Sequence, residues 1–386
     1  MARAFVVDGA GEVQMIRKML AVCVALLLAL TATAEGFVAI SAGGAHALAL
    51  DAGGTVWAWG SNVRGESDPG ASDARITALT AVLEGVASIA CGRNFSLALT
   101  AEGALYGWGD NRSGQLPGVS EARAEAPALL REGVRSMDAC EERAALVTAD
   151  GEAYAWGAGE EMQRLCEGAA EVAVGVDFVL VRLETGEVYE YADDSEAARL
   201  LEGASDIDAY GQTRMALASD GTLYAWGASG DDGRLGLPTD GWISAPTPLS
   251  LTGVQLPAAG LTASGAVTET GEAYLWGTVY SYVVLYDENG DPAASVVDGP
   301  LVAYGRTPIR LYDGVRALAF GDAFVLLLRR DGTILAWGSN DHGQMADGSW
   351  TKAELADGDD EDEKDVVITE SDQFVFPAFL TVPGEA

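Results

Sequence analysis

The residues able to do chemistry are few in kind. The chain of 386 residues holds two histidines, His46 and His342, and four cysteines, Cys23, Cys91, Cys140 and Cys166. Two histidines remove most zinc sites and leave a short list for His-dependent acid–base or nucleophilic work. No Ser/His/Asp set can be assembled around them, and His46 reads as a structural histidine. Glycine is abundant, at 48 residues, yet Gly-Lys-Ser/Thr follows none of the Gly-rich turns, so a phosphate loop is not indicated. Asp plus Glu number 58 against 23 Lys plus Arg, for a net charge of −35. That field repels a polyphosphate backbone and excludes nucleic acid as the main ligand. In a chain this acidic, paired carboxylates carry no catalytic information. An enzyme is not expected, nor a cofactor or a resident metal.

Two acidic segments have the composition of cation sites. Asp287, Asn289, Asp291, Ser295 and Asp298 have the look of a calcium loop, but Pro292 falls where such a loop needs a left-handed residue. Asn289-Gly290 between apolar runs reads better as the tip of a β-hairpin. The run from Asp357 to Asp365 reads as a solvated loop, with weak divalent binding as the alternative.

The N-terminus carries targeting information. Arg17 and Lys18 precede an apolar run, and Ala32-Thr33-Ala34 forms an A-x-A cleavage site. Residues 1–34 therefore read as a signal peptide, with Met15 as an alternative start and an uncleaved anchor as the competing reading. A secreted, extracellular protein of bacterial type is expected, with no stable membrane insertion after cleavage. Three cysteines would then remain, an odd number and not a disulfide framework. Cys91 and Cys140 either pair or stay free thiols.

The elements that must position any site come from internal repetition. A glycine is followed five residues later by an aromatic and then a small residue at Gly54–Trp59–Gly60, Gly103–Trp108–Gly109, Gly151–Trp156–Gly157, Gly186–Tyr191–Ala192, Gly221–Trp226–Gly227, Gly271–Trp276–Gly277 and Gly332–Trp337–Gly338. Eleven residues before each glycine stands Gly43, Gly92, Cys140, Gly175, Tyr210, Gly260 or Gly321. Seven residues earlier again comes another glycine, from Gly36 to Gly314. Asp-Gly pairs such as Asp150-Gly151 mark hairpins, and Pro127, Pro308 and Pro377 mark the start of a fourth, outer strand. Four antiparallel strands recurring seven times over residues 35–386 predict an all-β, seven-bladed β-propeller, with the tryptophans as core between blades.

The motif Gly43-x-x-His46-Ala-Leu-Ala-Leu, followed by Val56-Trp-Ala-Trp-Gly-Ser-Asn62-x-x-Gly65, resembles the repeat of the regulator of chromosome condensation family. Asp110-Asn111-x-x-Gly114-Gln115 and Ser339-Asn340-x-x-Gly343-Gln344 match the same turn. The resemblance implies a propeller. The founding members are nuclear exchange factors on chromatin, a role at odds with the signal segment and charge here. In setting the chain is similar to secreted bacterial propellers such as the β-lactamase inhibitory one.

Insertions fall unevenly. From each repeat aromatic to the next frame the gaps are 26, 25, 12, 12, 27 and 38 residues, so blades three and four are bare where others carry loops. Long loops are expected at about 228–247, 278–306 and 339–373. They bring Trp242, Tyr280, Tyr282, Tyr286 and Trp350 to the face that also carries the first-turn residues Arg93, Asn94, Glu141, Glu142, Asp177, Gln212 and Asp322. The reading is an exported, non-enzymatic monomer that binds an unknown protein partner through an aromatic-walled cup. The alternative is a carbohydrate- or cell-wall-binding surface module, and the competing reading of the aromatics is packing onto the propeller rim.

Overall fold

A computed structural model describes residues 36–192, 196–286, 292–350, 353–355, 366–368 and 378–383. The signal segment, the Asn289-Gly290 tip and the acidic run 357–365 lie outside these residues. Seven four-stranded antiparallel sheets follow one another along the chain, over residues 37–83, 86–131, 134–166, 169–201, 204–248, 254–312 and 315–380. This is the expected seven-bladed propeller. The first strands of successive blades adjoin around the axis, and Phe37–Ala42 of blade one meets Val315–Phe320 of blade seven to close the ring.

The repeat glycines make that closure. In six of the seven seams the glycine of the second turn accepts a backbone bond from the first strand of the next blade. Val86 N to Gly54 O, at 2.9 Å, and Phe37 N to Gly332 O, at 2.9 Å, are two of them. The glycine after each tryptophan lies in the left-handed region. At Gly60 (φ 98°), a Cβ would sit 2.5 Å from the Ala45 carbonyl oxygen. A bulge in the pairing of the third and fourth strands falls on this Trp-Gly step in blades one, two, three, five and six.

The Gly-x-x-aromatic spacing has a steric cause. A Cβ on Gly92, Gly175 or Gly321 would collide with the ring of Phe95, Phe178 or Phe324, three residues on, and one on Gly43 would collide with His46. Blades three and five carry Arg143 and Thr213 instead of a ring, and there the position is Cys140 and Tyr210; blade six has Ala263 and keeps Gly260, whose Cβ would meet the Ala263 carbonyl oxygen and Phe320. Cys91, Cys140 and Cys166 are free thiols, so Cys91 and Cys140 do not pair.

Three expectations change in detail. The blade-six insertion is the hairpin read around Asn289-Gly290, but its arms are longer than expected: they continue the third and fourth strands, with Ala273–Tyr286 paired to Pro292–Tyr312. Blade seven's insertion contains a small two-stranded ribbon, Ala353–Leu355 with Val366–Ile368. Pro127 and Pro308 lie inside their strands, Arg123–Arg131 and Pro292–Tyr312, and not at their starts. Both strands are outer edges, where a missing N–H leaves no ladder bond unmade.

Candidate functional site

The third turns of blades one, two and seven are each built around one asparagine. Asn62 Nδ2 donates to the carbonyls of Asp68 (3.0 Å) and Asp73 (2.9 Å), while its Oδ1 accepts from the backbone of Ser67 and Asp68. Asn111 and Asn340 hold their turns the same way. The glutamine of this motif completes it: Gln115 Oε1 accepts from Ser113 N, and Gln344 Oε1 from His342 N.

The same turn serves the next blade. Trp108 Nε1 donates to Glu66 O (2.9 Å), Trp156 Nε1 to Gln115 O (2.8 Å), Trp276 Nε1 to Arg234 O (2.8 Å) and Trp59 Nε1 to Gln344 O (2.7 Å). Blade six offers the Tyr304 hydroxyl instead, which receives Trp337 Nε1 at 2.7 Å. Trp226 is the exception. Blade four, which precedes it, has only five residues between its third and fourth strands, and the buried indole N–H of Trp226 has no partner among the described residues. His46 is structural: its Nε2 meets Ser96 Oγ at 2.9 Å, and burial lowers its pKa to about 3, so it is neutral.

First and third turns share one face, since in six blades the residue opening the third turn bonds back to the first turn of its own blade, as Ser61 N does to Ala45 O at 2.8 Å. At the axial mouth of that face three of the expected residues converge. Arg93 Nη1 lies 3.2 Å from Glu141 Oε2, and Nη2 lies 3.9 Å from Asp322 Oδ2. Backbone bonds link the same turns, from Asp322 N to Gly44 O, Gly44 N to Arg93 O and Arg93 N to Glu141 O. Glu141 sits at φ 51°, a left-handed conformation. Burial, then repulsion from Asp322, pushes its carboxyl up against the opposing pull of Arg93. Burial also raises Asp322, with Arg93 pulling the other way.

The sequence reading missed two members of this cluster. Tyr210 OH bonds Asp322 Oδ1 at 3.2 Å, and Cys140 Sγ accepts from Gly211 N at 3.3 Å. Both stand where the repeat has glycine, which was the available signal. The remaining first-turn residues do not join the cluster through any side-chain bond given by the structure. Asn94, Glu142 and Gln212 use their carbonyls to hold the third turns of their blades, and Asp177 is exposed.

Below the mouth, the first strands carry side chains that staple alternate seams. Ser41 Oγ accepts from Cys91 N (3.0 Å), Asp138 Oδ2 from Val174 N (2.7 Å) and Asp208 Oδ2 from Ala259 N (2.7 Å). All three residues line an axial cavity of about 120 Å³. Burial raises the carboxyls of Asp138 and Asp208 to about 7 and about 8. No cluster of three or more His, Cys, Asp or Glu suited to a metal occurs among the described residues.

On the outer part of the face, Trp242 is 55% exposed and Trp350 is 41% exposed. Each rests on an arginine. Arg75 lies 4.4 Å from the Trp350 ring centroid, and Arg214 lies 5.1 Å from that of Trp242 and 3.5 Å from that of Phe178. Arg214 is also paired with Glu190 at 2.8 Å. Tyr280, Tyr282 and Tyr286 stand on the blade-six hairpin opposite Pro300, Val297 and Pro292; their side chains lie outside the described residues.

Known proteins share this architecture. The chain is similar to human WBSCR16 at a TM-score of 0.62 and 18% identity, covering 85% of this chain and 99% of that one. It is similar to Prp20p of Saccharomyces cerevisiae, whose structure was described together with its binding to Gsp1p and histones, at a TM-score of 0.62 and 17% identity, covering 92% and 94%. In sequence it is 29% identical over 151 residues to the mitochondrial RCC1 domain-containing protein RUG3 of Arabidopsis thaliana, covering 36% of this chain and 31% of that protein. It is 31% identical over 145 residues to the human E3 ubiquitin-protein ligase HERC2, covering 36% of this chain and 3% of the ligase. The chain thus matches less than a third of the length of either curated relative. The family model of the RCC1-like domain matches residues 22–357, and by that match the chain belongs to the RCC1-like domain family.

Proposed function

We propose that this propeller is an exported, non-enzymatic protein-binding module that holds its partner on the loop-bearing face. The observation that carries the reading is the pair of arginine-backed tryptophans, Trp242 and Trp350, exposed on that face while the six repeat tryptophans are buried. Large aromatics held against a cation lose little freedom on binding and suit the role of interface anchors. The Arg93–Glu141–Asp322 cluster closes the axial mouth with bonded polar groups and supplies a rim of charge rather than a reaction centre. The A-x-A site before the first blade supports export, and N-terminal sequencing of the secreted chain should begin at Glu35. The binding test uses the mature chain as bait for culture medium and cell-surface fractions, followed by titration of the captured partner. Trp242→Ala and Trp350→Ala should each weaken that complex by about 2 kcal/mol or more, roughly thirtyfold. Unchanged affinity in both variants would move the interface off this face, and capture of glycan in place of protein would replace the reading.

A further inference from the structure

The seam between blades two and three holds a groove that other seams fill from within. In blade one Arg75 pairs in register with Ser61, and in blade two Arg123 pairs with Asp110. Each of these arginines reaches back into the third turn of the preceding blade and donates to its backbone. Arg75 Nε meets Asp341 O at 3.0 Å, and Arg123 Nη2 meets Pro69 O at 3.0 Å and Ala71 O at 3.5 Å. Arg306 of blade six does the same to Asp231 O of blade five at 3.2 Å.

Blade three has no such arginine. Its third turn is cut to Ala158-Gly159, and Glu160 pairs with Gly157 as Ala124 pairs with Gly109, so the residue in the register of Arg123 is Gly159. Gly159 has open space where its side chain would begin. The blade-two turn is nonetheless complete, with Asn111 holding it. The result is a groove of about 610 Å³ between that turn and blade three. Leu116, Pro117 and Met162 give it an apolar side, Trp156 lies at its base, and the exposed Glu160 and Glu161 line its other side. Its one lining cation, Arg112, is paired with Asp110 at 2.9 Å.

We propose that this groove receives an arginine side chain presented by a protein partner, in the place that Arg123 and Arg75 occupy in their own seams. The guanidinium would meet the backbone of the blade-two turn and the carboxylates of Glu160 and Glu161, and its stem would lie along the apolar side. Planar, multiply donating guanidinium suits such an acceptor set better than a point charge does. The strong negative charge of the chain favours a basic partner at long range. The inference rests on the protein-binding reading above and adds the chemistry of one contact at a separate place on the same face.

The test uses a blocked tripeptide, acetyl-Gly-Arg-Gly-amide, and its citrulline counterpart, which keeps the shape and loses the charge. The reporter is the indole N–H signal of Trp156, which bonds Gln115 O at the base of the groove. It is identified with Trp156→Phe. The arginine peptide should shift this signal saturably at about millimolar concentration, and the citrulline peptide should not. The double variant Glu160→Gln, Glu161→Gln should weaken the arginine peptide about tenfold. Equal binding of the two peptides, an unsaturable shift or an unaffected double variant would overturn the proposal. If the peptide binds while Trp242→Ala and Trp350→Ala leave partner affinity intact, the cup fails and the groove stands.

Discussion

The seam between blades one and two and the seam between blades four and five carry the same core frame and end differently at the surface. In the first, Glu66 O receives Trp108 Nε1, and Arg123 crosses to Pro69 O, so the aromatic and the edge are both satisfied by the preceding turn. In the second, blade four leaves only five residues, 193–197, between its third and fourth strands. Trp226 keeps its burial but has no acceptor among the described residues. The register position of Arg123 is taken by Trp242, opposite Ala228, and beside that short connection it stands exposed over Arg214. The frame alone therefore suffices to build a blade. The third turn adds bonds between blades, and where it is cut short, side chains used elsewhere for clamping become surface.

The largest expected effect concerns how the seams are stapled at the axis. Ser41 accepts Cys91 N in the first seam as a neutral group, whereas Asp138 and Asp208 do the equivalent work with carboxyls raised by burial to about 7 and about 8. An unfolded aspartate titrates near 3.9. Between these values the folded chain holds protons that the unfolded chain has released, so this contribution is fully present below about pH 4 and is lost as pH rises through 7 to 8. At constant salt, melting should fall by on the order of 5 °C from pH 5 to pH 8.5. Asp138→Asn with Asp208→Asn keeps an acceptor for each N–H and should shrink that fall. A double variant with the wild-type pH slope would show that the seams do not differ in this way.

Much of this was legible in the sequence, because a frame repeated seven times exposes its own constants. The Trp-Gly step, the spacing of the repeat glycines and the Asn-x-x-Gly turn are all visible in the sequence. The axial staples were not, because Asp138 finds its donor 36 residues away and Asp208 finds its own 51 residues away, each in the next blade. Among so many carboxylates nothing marked these two. Tyr210 and Cys140 did leave a mark, as departures from glycine, but their meaning needed the neighbouring turns. Of the twelve residues expected on the binding face, Arg93, Glu141 and Asp322 converge in space, and Gly159, whose lack of a side chain opens the groove, was passed over.

A second effect sharpens the steric half of the comparison. Gly92 of blade two lies against the Phe95 ring with no room for a Cβ, while the matching Cys140 of blade three faces no ring three residues on, where Arg143 stands. Gly92→Ala should cost about 1–3 kcal/mol through overpacking. Cys140→Ala should cost less, about 1 kcal/mol, because it adds no atom and removes only a buried core sulfur with its one backbone bond from Gly211 N. Equal losses by denaturant unfolding would mean that the ring does not dictate the glycine.

The smallest effect is the most direct measure of what the shortened turn does. Trp108 and Trp226 are both buried repeat tryptophans in the same frame, and replacing either by phenylalanine removes similar volume from similar surroundings. They differ in one bond. Trp108→Phe removes the donor to Glu66 O, which is left with Ser96 Oγ as its partner. Trp226→Phe removes a buried N–H that has no acceptor among the described residues, and so removes a desolvation cost along with the volume. A hydrogen bond of this kind contributes about 1 kcal/mol net, and an unsatisfied buried donor costs about as much or more. Trp108→Phe should therefore be the more destabilising by about 1–2 kcal/mol, read from paired urea unfolding curves with unchanged slopes. If the two losses match, the indole bonds are incidental to the seams, and the third turns must be explained by the surface they present rather than by the bonds they give.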